Sequence, residues 1–331
     1  MAVPLAGYQF DLESVLQLIA LGVSALAYIG YRRRAQTLAS HGRPVPAWRE
    51  WCFIGGLVVL LVALSPPVDS WSDKVFAAHM AQHLFIGDLA ALLLVLGMNG
   101  PMMQPILHIK VIDRLRFLAN PVPAISVWAI NFYVWHLPFM YRAAYDNDLI
   151  HALQHLSFLV FGAIMWMPLF GPLPKPAWFG SLGKLGYIIG VRLLGTLLGN
   201  VFIWSGTIFY TFYAAGEARG HISPLTDQSV AGVVMMLEQS ILTICLFCWL
   251  FLRAAAEGEE KQDLLDWAHA RGIELSDGRA GRAVTAGRGA ELRERLEREA
   301  LSGSTSPESA AAAVPAVGGS AASAGSARRE S

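Results

Sequence analysis

The chain has 331 residues, 54% hydrophobic and only 15% charged side chains, and a mean hydropathy of +0.44, outside the soluble globular norm. Its 25 Lys and Arg balance 25 Asp and Glu, so no basic field points to nucleic acid. The three cysteines, Cys52, Cys245 and Cys248, all lie in apolar segments, which argues against a disulfide framework.

No positive region precedes the first apolar run, and Arg32, Arg33 and Arg34 follow it instead, so this run reads as a retained span. Seven stretches are long enough, or nearly so, to cross a bilayer as helices: residues 12–31, 50–66, 75–97, 122–140, 149–170, 185–212 and 229–252. The fold class expected is all-α, a polytopic bundle of seven transmembrane helices. Alternate loops hold Arg32, Arg33, Arg34, Arg43, Arg49, Lys110, Arg114, Arg116, Lys175 and Lys184, against Lys74, Arg142 and Arg219 in the others. The positive-inside rule then places the N-terminus outside and the C-terminus in the cytoplasm.

Span three opens with His79-Met80-Ala81-Gln82-His83, and span five with His151-Ala152-Leu153-Gln154-His155. Residues four apart share a helix face, so each copy projects two imidazoles in one direction. Both spans enter from outside, which puts all four histidines in the outer half of the bilayer. Span four carries His136 near its outer end, before Pro138, and span seven begins at Asp227-Gln228. Five histidines and one aspartate on four spans are thus expected to meet at one depth, with His221 in the last outer loop able to join them. A lone buried histidine more often serves a helix–helix hydrogen bond. Two matched pairs point instead to a metal site. The expected ligands are His79, His83, His136, His151, His155 and Asp227, with Met80, Gln82, Gln154 and Gln228 as further candidates. Met80, Met140, Met235 and Met236 lie in the outer half, and imidazole with thioether suits copper, whereas imidazole with carboxylate suits zinc or iron. Methionine is also ordinary packing. Asp227 serves equally well as a helix N-cap beside Thr226.

Asp88 and Arg192 are the deepest charges of spans three and six, and read as a structural ion pair. Glu238 has no depth-matched partner, and either faces a polar cavity near the histidines or holds a proton. Cys245-x-x-Cys248 lies in the inner half of span seven and reads as packing. So do Gly186, Gly190, Gly195 and Gly199 of span six. His41, His108 and His269 read as surface residues. Beyond the transmembrane domain of residues 1–253, residues 254–301 form a charged, partly helical cytoplasmic tail. Residues 302–331 are Ser, Ala, Gly and Pro, and are expected to be disordered.

The segments His79 to Leu84, Val134-Trp135-His136-Leu137-Pro138, His151 to His155 leading to Met165-Trp166-Met167-Pro168, and Asp227-Gln228-Ser229-Val230-Ala231-Gly232 together resemble the CtaG-type cytochrome c oxidase assembly proteins, the polytopic bacterial kind. The likeness covers roughly residues 10–253, with its motifs in order, and leaves out the tail. It implies a multi-pass protein of the bacterial plasma membrane that helps mature the haem–copper oxidase, including its copper centre. The expected cofactor is therefore copper, with zinc or haem as alternatives. The expected partners are cytochrome c oxidase subunits, periplasmic copper chaperones and membrane lipid. The role expected is assembly or metal handling, not catalysis. An intramembrane zinc hydrolase and a haem-binding electron carrier are the competing readings.

Overall fold

The computed structural model describes residues 12–110, 116–176, 178–285 and 287–304, and every regular element among them is helical. The chain divides into two compact units between Phe251 and Leu252. The first begins with α1 (Leu12–Ser40), α2 (Ala47–Ala63), α3 (Pro66–Ser72) and α4 (Phe76–Leu84). Helix α4 runs through a wide π-helical turn, Phe85–Ala90, into α5 (Ala91–Gly97). After these come α6 (Gly100–Leu107), α7 (Pro121–Trp135), α8 (Pro138–Tyr145), α9 (Asp148–Phe170), α10 (Ser181–Trp204), α11 (Ala214–Arg219) and α12 (Pro224–Ala270).

Among the described residues, five helical segments are long and apolar enough to cross a membrane: Ser14–Ser40, Phe76–Gly97, Asp148–Phe170, Ser181–Trp204 and Pro224–Ala270. The pair α2 and α3, bent by 54° where Ser65-Pro66-Pro67 interrupts the helix, makes a sixth if counted as one span. The stretch expected over 122–140 is split. Helix α7 has only 15 residues, because Pro138 disfavours helical backbone at Leu137, which is extended at ψ 132. Other boundaries shift too. The first helix runs to Ser40 rather than 31, the sixth stretch stops at Trp204 rather than 212, and the last continues past 252.

Small residues decide how these helices meet. A methyl group on Gly162 of α9 would overlap the carbonyl oxygen of Gly87 and lie 2.9 Å from its carbonyl carbon. The two backbones therefore touch directly, as lipid-embedded helices do where small residues let them approach. A methyl group on Gly97 would likewise lie only 2.7 Å from Phe53 Cβ, so α5 packs closely on α2 there. Of the span-six glycines, Gly195 faces the Gln239 amide and Gly199 faces Met236 and Gly232, whereas Gly186 has nothing within 4 Å.

The wide turn also carries Asp88, whose carboxylate takes two hydrogen bonds from the Arg192 guanidinium of α10, at 2.9 and 3.4 Å. Both residues are buried. Trp166 of α9 donates its indole N–H to the Asp88 carbonyl at 3.1 Å, and its ring lies 5.2 Å from the guanidinium. Three helices are thus tied at one point. Removing one partner of such a pair costs about 3–5 kcal/mol, because the other stays charged and buried.

The second unit has its own small core of Leu264, Trp267, Ala268, Ala280, Val284, Leu292 and Leu296. It is built from the end of α12, α13 (Asp277–Thr285) and α14 (Gly289–Ser304). Gly272 and Gly287, both at φ 67, make the left-handed turns between these helices. The low-complexity tail expected from residue 302 lies, from 305 onward, outside the described residues.

Gly162→Ala is expected to destabilise the purified protein by about 1–3 kcal/mol, the usual cost of forcing extra atoms into a packed core. Gly186→Ala should be neutral or slightly stabilising, since helical glycine costs about 0.5–1 kcal/mol relative to alanine. Thermal unfolding in detergent compares the two, and equal effects would show that the Gly87–Gly162 approach is not a constraint.

Candidate metal centre

Within each H-x-x-Q-H segment the four-residue spacing holds, and the imidazole centroids lie 4.2 Å apart in both His79–His83 and His151–His155. Backbone contact at Gly87 and Gly162, further along the same two helices, brings the pairs face to face. His79 lies 5.2 Å from His151, nearly parallel at 16°, and His83 lies 5.3 Å from His155, edge-on at 81°. One ring nitrogen from each of the four can be chosen so that all lie within 4.8 Å of one another. A four-coordinate ion with bonds of about 2.0–2.1 Å needs nitrogens about 3.3 Å apart. The 4.8 Å bound is wider than that, and it is the donor set, four neighbouring neutral imidazoles, that fits such an ion.

His79, His83 and His155 are buried and His151 is half-buried. Six of their nitrogens lack a hydrogen bond of good geometry: both of His79, where the Ser72 backbone is the nearest partner, both of His83, and Nε2 of His151 and of His155. A buried polar group left unpaired costs about 1–3 kcal/mol, so six in one place is a concentration that packing alone does not explain. Aromatic rings close one side. The Tyr141 ring lies 5.1 Å from His79, and its hydroxyl shares a 2.8 Å hydrogen bond with that of Tyr213.

Not all the expected ligands join this cluster. His136 sits at the break after α7, where its Nδ1 bonds the Phe132 carbonyl at 2.7 Å and its buried Nε2 has no partner. It lines a separate cavity of about 30 Å³ shared with His83, Met80 and Met235. Asp227 does not converge with the histidines either. Its two oxygens accept the backbone N–H groups of Phe76 and Ala77, at 2.7 and 2.9 Å. A helix start leaves such donors free and favours negative charge, so Asp227 caps α4 rather than its own helix. Gln228 accepts from the Phe209 N–H and donates to the Thr207 carbonyl, both at 3.0 Å, which holds the loop after α10. Gln82 donates to the Ala63 carbonyl and to Asp69, both at 2.9 Å. Gln154 is fully buried, with both amide atoms unpartnered.

Of the remaining candidates, Met140 is partly buried in the core and Met236 packs against Gly199. His221 is exposed in a left-handed turn at φ 54, away from the cluster. Glu238 has two buried carboxyl oxygens without a hydrogen bond, near the Asp88–Arg192 pair. Cys245 and Cys248 are free and exposed.

Sequence reasoning missed Asp69, Asp73 and Asp148, which line a cleft of about 560 Å³ together with His151 and His155. Asp69 and Asp73 sit in and just after the short α3, where no helix periodicity links them to the histidines. Partial desolvation at the cleft mouth, with Asp69 close by, pushes the Asp73 carboxyl above the usual carboxylate range.

Residues 26–257 match the family described as cytochrome c oxidase caa3 assembly factor. Uncharacterised proteins of Mycobacterium bovis and Mycobacterium tuberculosis are each 23% identical over 224 residues, 62% of this chain and 33% of theirs. One of Mycobacterium leprae is 23% identical over 249 residues, 69% of this chain and 36% of its own. The chain therefore spans about one third of the length of these curated relatives. No solved structure matches significantly.

Glu217, buried in α11, is pushed up to about 7 by burial and by Asp227, whose carboxylate shares a hydrogen bond with it. A carboxyl raised in the folded state is held neutral there. Stability should therefore fall as pH rises from the unfolded carboxylate value, about 4.3, to about 7, then level off. Glu217→Gln should flatten that part of the profile and be the more stable form above pH 7. Thermal midpoints across pH 4–8 check this, and an unchanged slope in the variant contradicts it.

Proposed function

The chain belongs to the cytochrome c oxidase caa3 assembly factor family, and from that premise we propose that it holds a copper ion at His79, His83, His151 and His155 while the oxidase is assembled. The observation that carries this reading is the set of six buried, unpartnered imidazole nitrogens on four mutually close histidines. Copper is cargo in this account. Imidazole donors bind Cu(II) more tightly than the other divalent first-row ions, and neutral ligands release an ion more readily than a thiolate cage does. Four imidazoles fill a tetrahedral ion, whereas a hydrolytic zinc site keeps one position open for water, which favours handling over catalysis. A haem held by two of these histidines would need its ring where the other two stand, with centroids only 4.2–6.3 Å apart.

His136 and Met80 belong to the neighbouring small cavity in this reading, and Gln82 braces its histidine helix against Ala63 and Asp69. Asp227 and Gln228 act through the backbone groups they hold. We read α2 with α3, and the split α7 with α8, as the two further crossings that complete seven. The loop charges then put the N-terminus outside, the C-terminus in the cytoplasm and the histidines toward the external face of the bacterial plasma membrane. The partners are the oxidase subunits that receive the ion and periplasmic copper chaperones that supply it.

Elemental analysis of purified protein loaded with copper tests the site. His83→Ala and His155→Ala should each lower bound copper by more than half. Full retention in both variants would remove the histidine cluster from the account while leaving family membership intact.

A further inference from the structure

The carboxylates of the large cleft form a graded path toward the histidines. Asp73, just after α3, and Asp148, in the first turn of α9, are exposed. Asp69 is buried, held by Gln82 at 2.9 Å and Gln17 at 3.4 Å. Behind them on the same cleft come half-buried His151 and then His155, which is only 7% exposed and whose Nε2 has no partner. The rest of the lining is mainly apolar, from α1, α2 and α9, and no lysine or arginine is among the described lining residues. Three carboxylates without a lining cation, in a low-dielectric cleft, focus a field that attracts positive ions.

We propose that this cleft is the loading port of the histidine centre. A hydrated transition-metal cation is drawn in by Asp73 and Asp148, meets Asp69, and exchanges its water for imidazole at His151 and then His155. The order follows burial. Each step inward replaces water by a fixed ligand, so the ion is never stripped without compensation. The port rests on the reading that the four histidines hold copper. It adds where the ion enters and which residues set the rate.

The test is stopped-flow uptake of Cu(II) by metal-free, full-length protein in lipid nanodiscs, at low and high salt. The double variant Asp73→Asn with Asp148→Asn should slow uptake by about tenfold at low salt, the lower end of electrostatic steering. The difference should shrink at high salt, and the copper bound at equilibrium should be unchanged. Ala152→Trp, which narrows the cleft without removing a carboxylate, should slow uptake at every salt concentration. Wild-type rates in both variants would overturn the port while leaving the histidine site standing. Loss of equilibrium copper in the Asn variant would also overturn it, by making these carboxylates resting ligands. A wild-type protein that takes up no copper would overturn the site and the port together.

Discussion

Direct backbone contact between Gly87 and Gly162 is the constraint on which the histidine centre depends. A side chain at Gly162 would push α9 away from the helix that carries His79 and His83, and one at Gly87 would crowd Phe158. Opposite pairs such as His79–His151, now 5.2 Å apart, would then separate. The contact lies beyond the histidines on both helices, so it works as a fulcrum. It sets the spacing of the imidazoles without occupying the space between them. Packing in lipid gains little from hydrophobicity between helices, and close approach through small residues is the available alternative.

Polar ties then stop the helices from sliding or rotating. Asp88, inside the wide turn, is bound to Arg192 and shares Trp166 with it, which joins α9 and α10 to the histidine helix within one turn of Gly87. At the other end of that helix, the Asp227 carboxylate caps α4 from α12. The histidine pair on α4 is therefore held from both sides along its length. Tyr210 donates to the His136 carbonyl at 2.7 Å, which also fixes the break between α7 and α8. Helices fixed this way keep the four imidazoles close together, and less ordering is left for a binding step.

Some of this was legible in the sequence, and the reasons differ residue by residue. The spacing within each H-x-x-Q-H segment translates directly into a shared helix face. Matching positions near the starts of two apolar stretches made it reasonable to expect the pairs to meet. His136 stands apart from the four because the helix before it ends there, whereas its apolar stretch has the pattern of one continuous span. Pro138 was in plain view, and the restriction a proline places on its preceding residue would have put the break at Leu137. Asp227 stands where a cap for its own helix is expected, while the free N–H groups it satisfies lie about 150 residues away, beyond any local pattern. The four glycines of span six attracted notice because they recur. The more consequential Gly87 and Gly162 each stand alone, and only a three-dimensional pairing reveals them. Asp69 and Asp73 were hidden in a short helix after a Pro-Pro break, a segment too brief for periodicity to show what it faces.

The central claim is that copper is held by nitrogen donors from four histidines. X-ray absorption spectroscopy of the copper-loaded, full-length protein tests this most directly, because outer-shell scattering counts imidazoles and sulfur is readily distinguished from nitrogen. The account predicts a first shell of nitrogen alone, with four imidazole signatures. A sulfur scatterer, which would draw in Met80 or Met235, or fewer than three imidazoles, would contradict it.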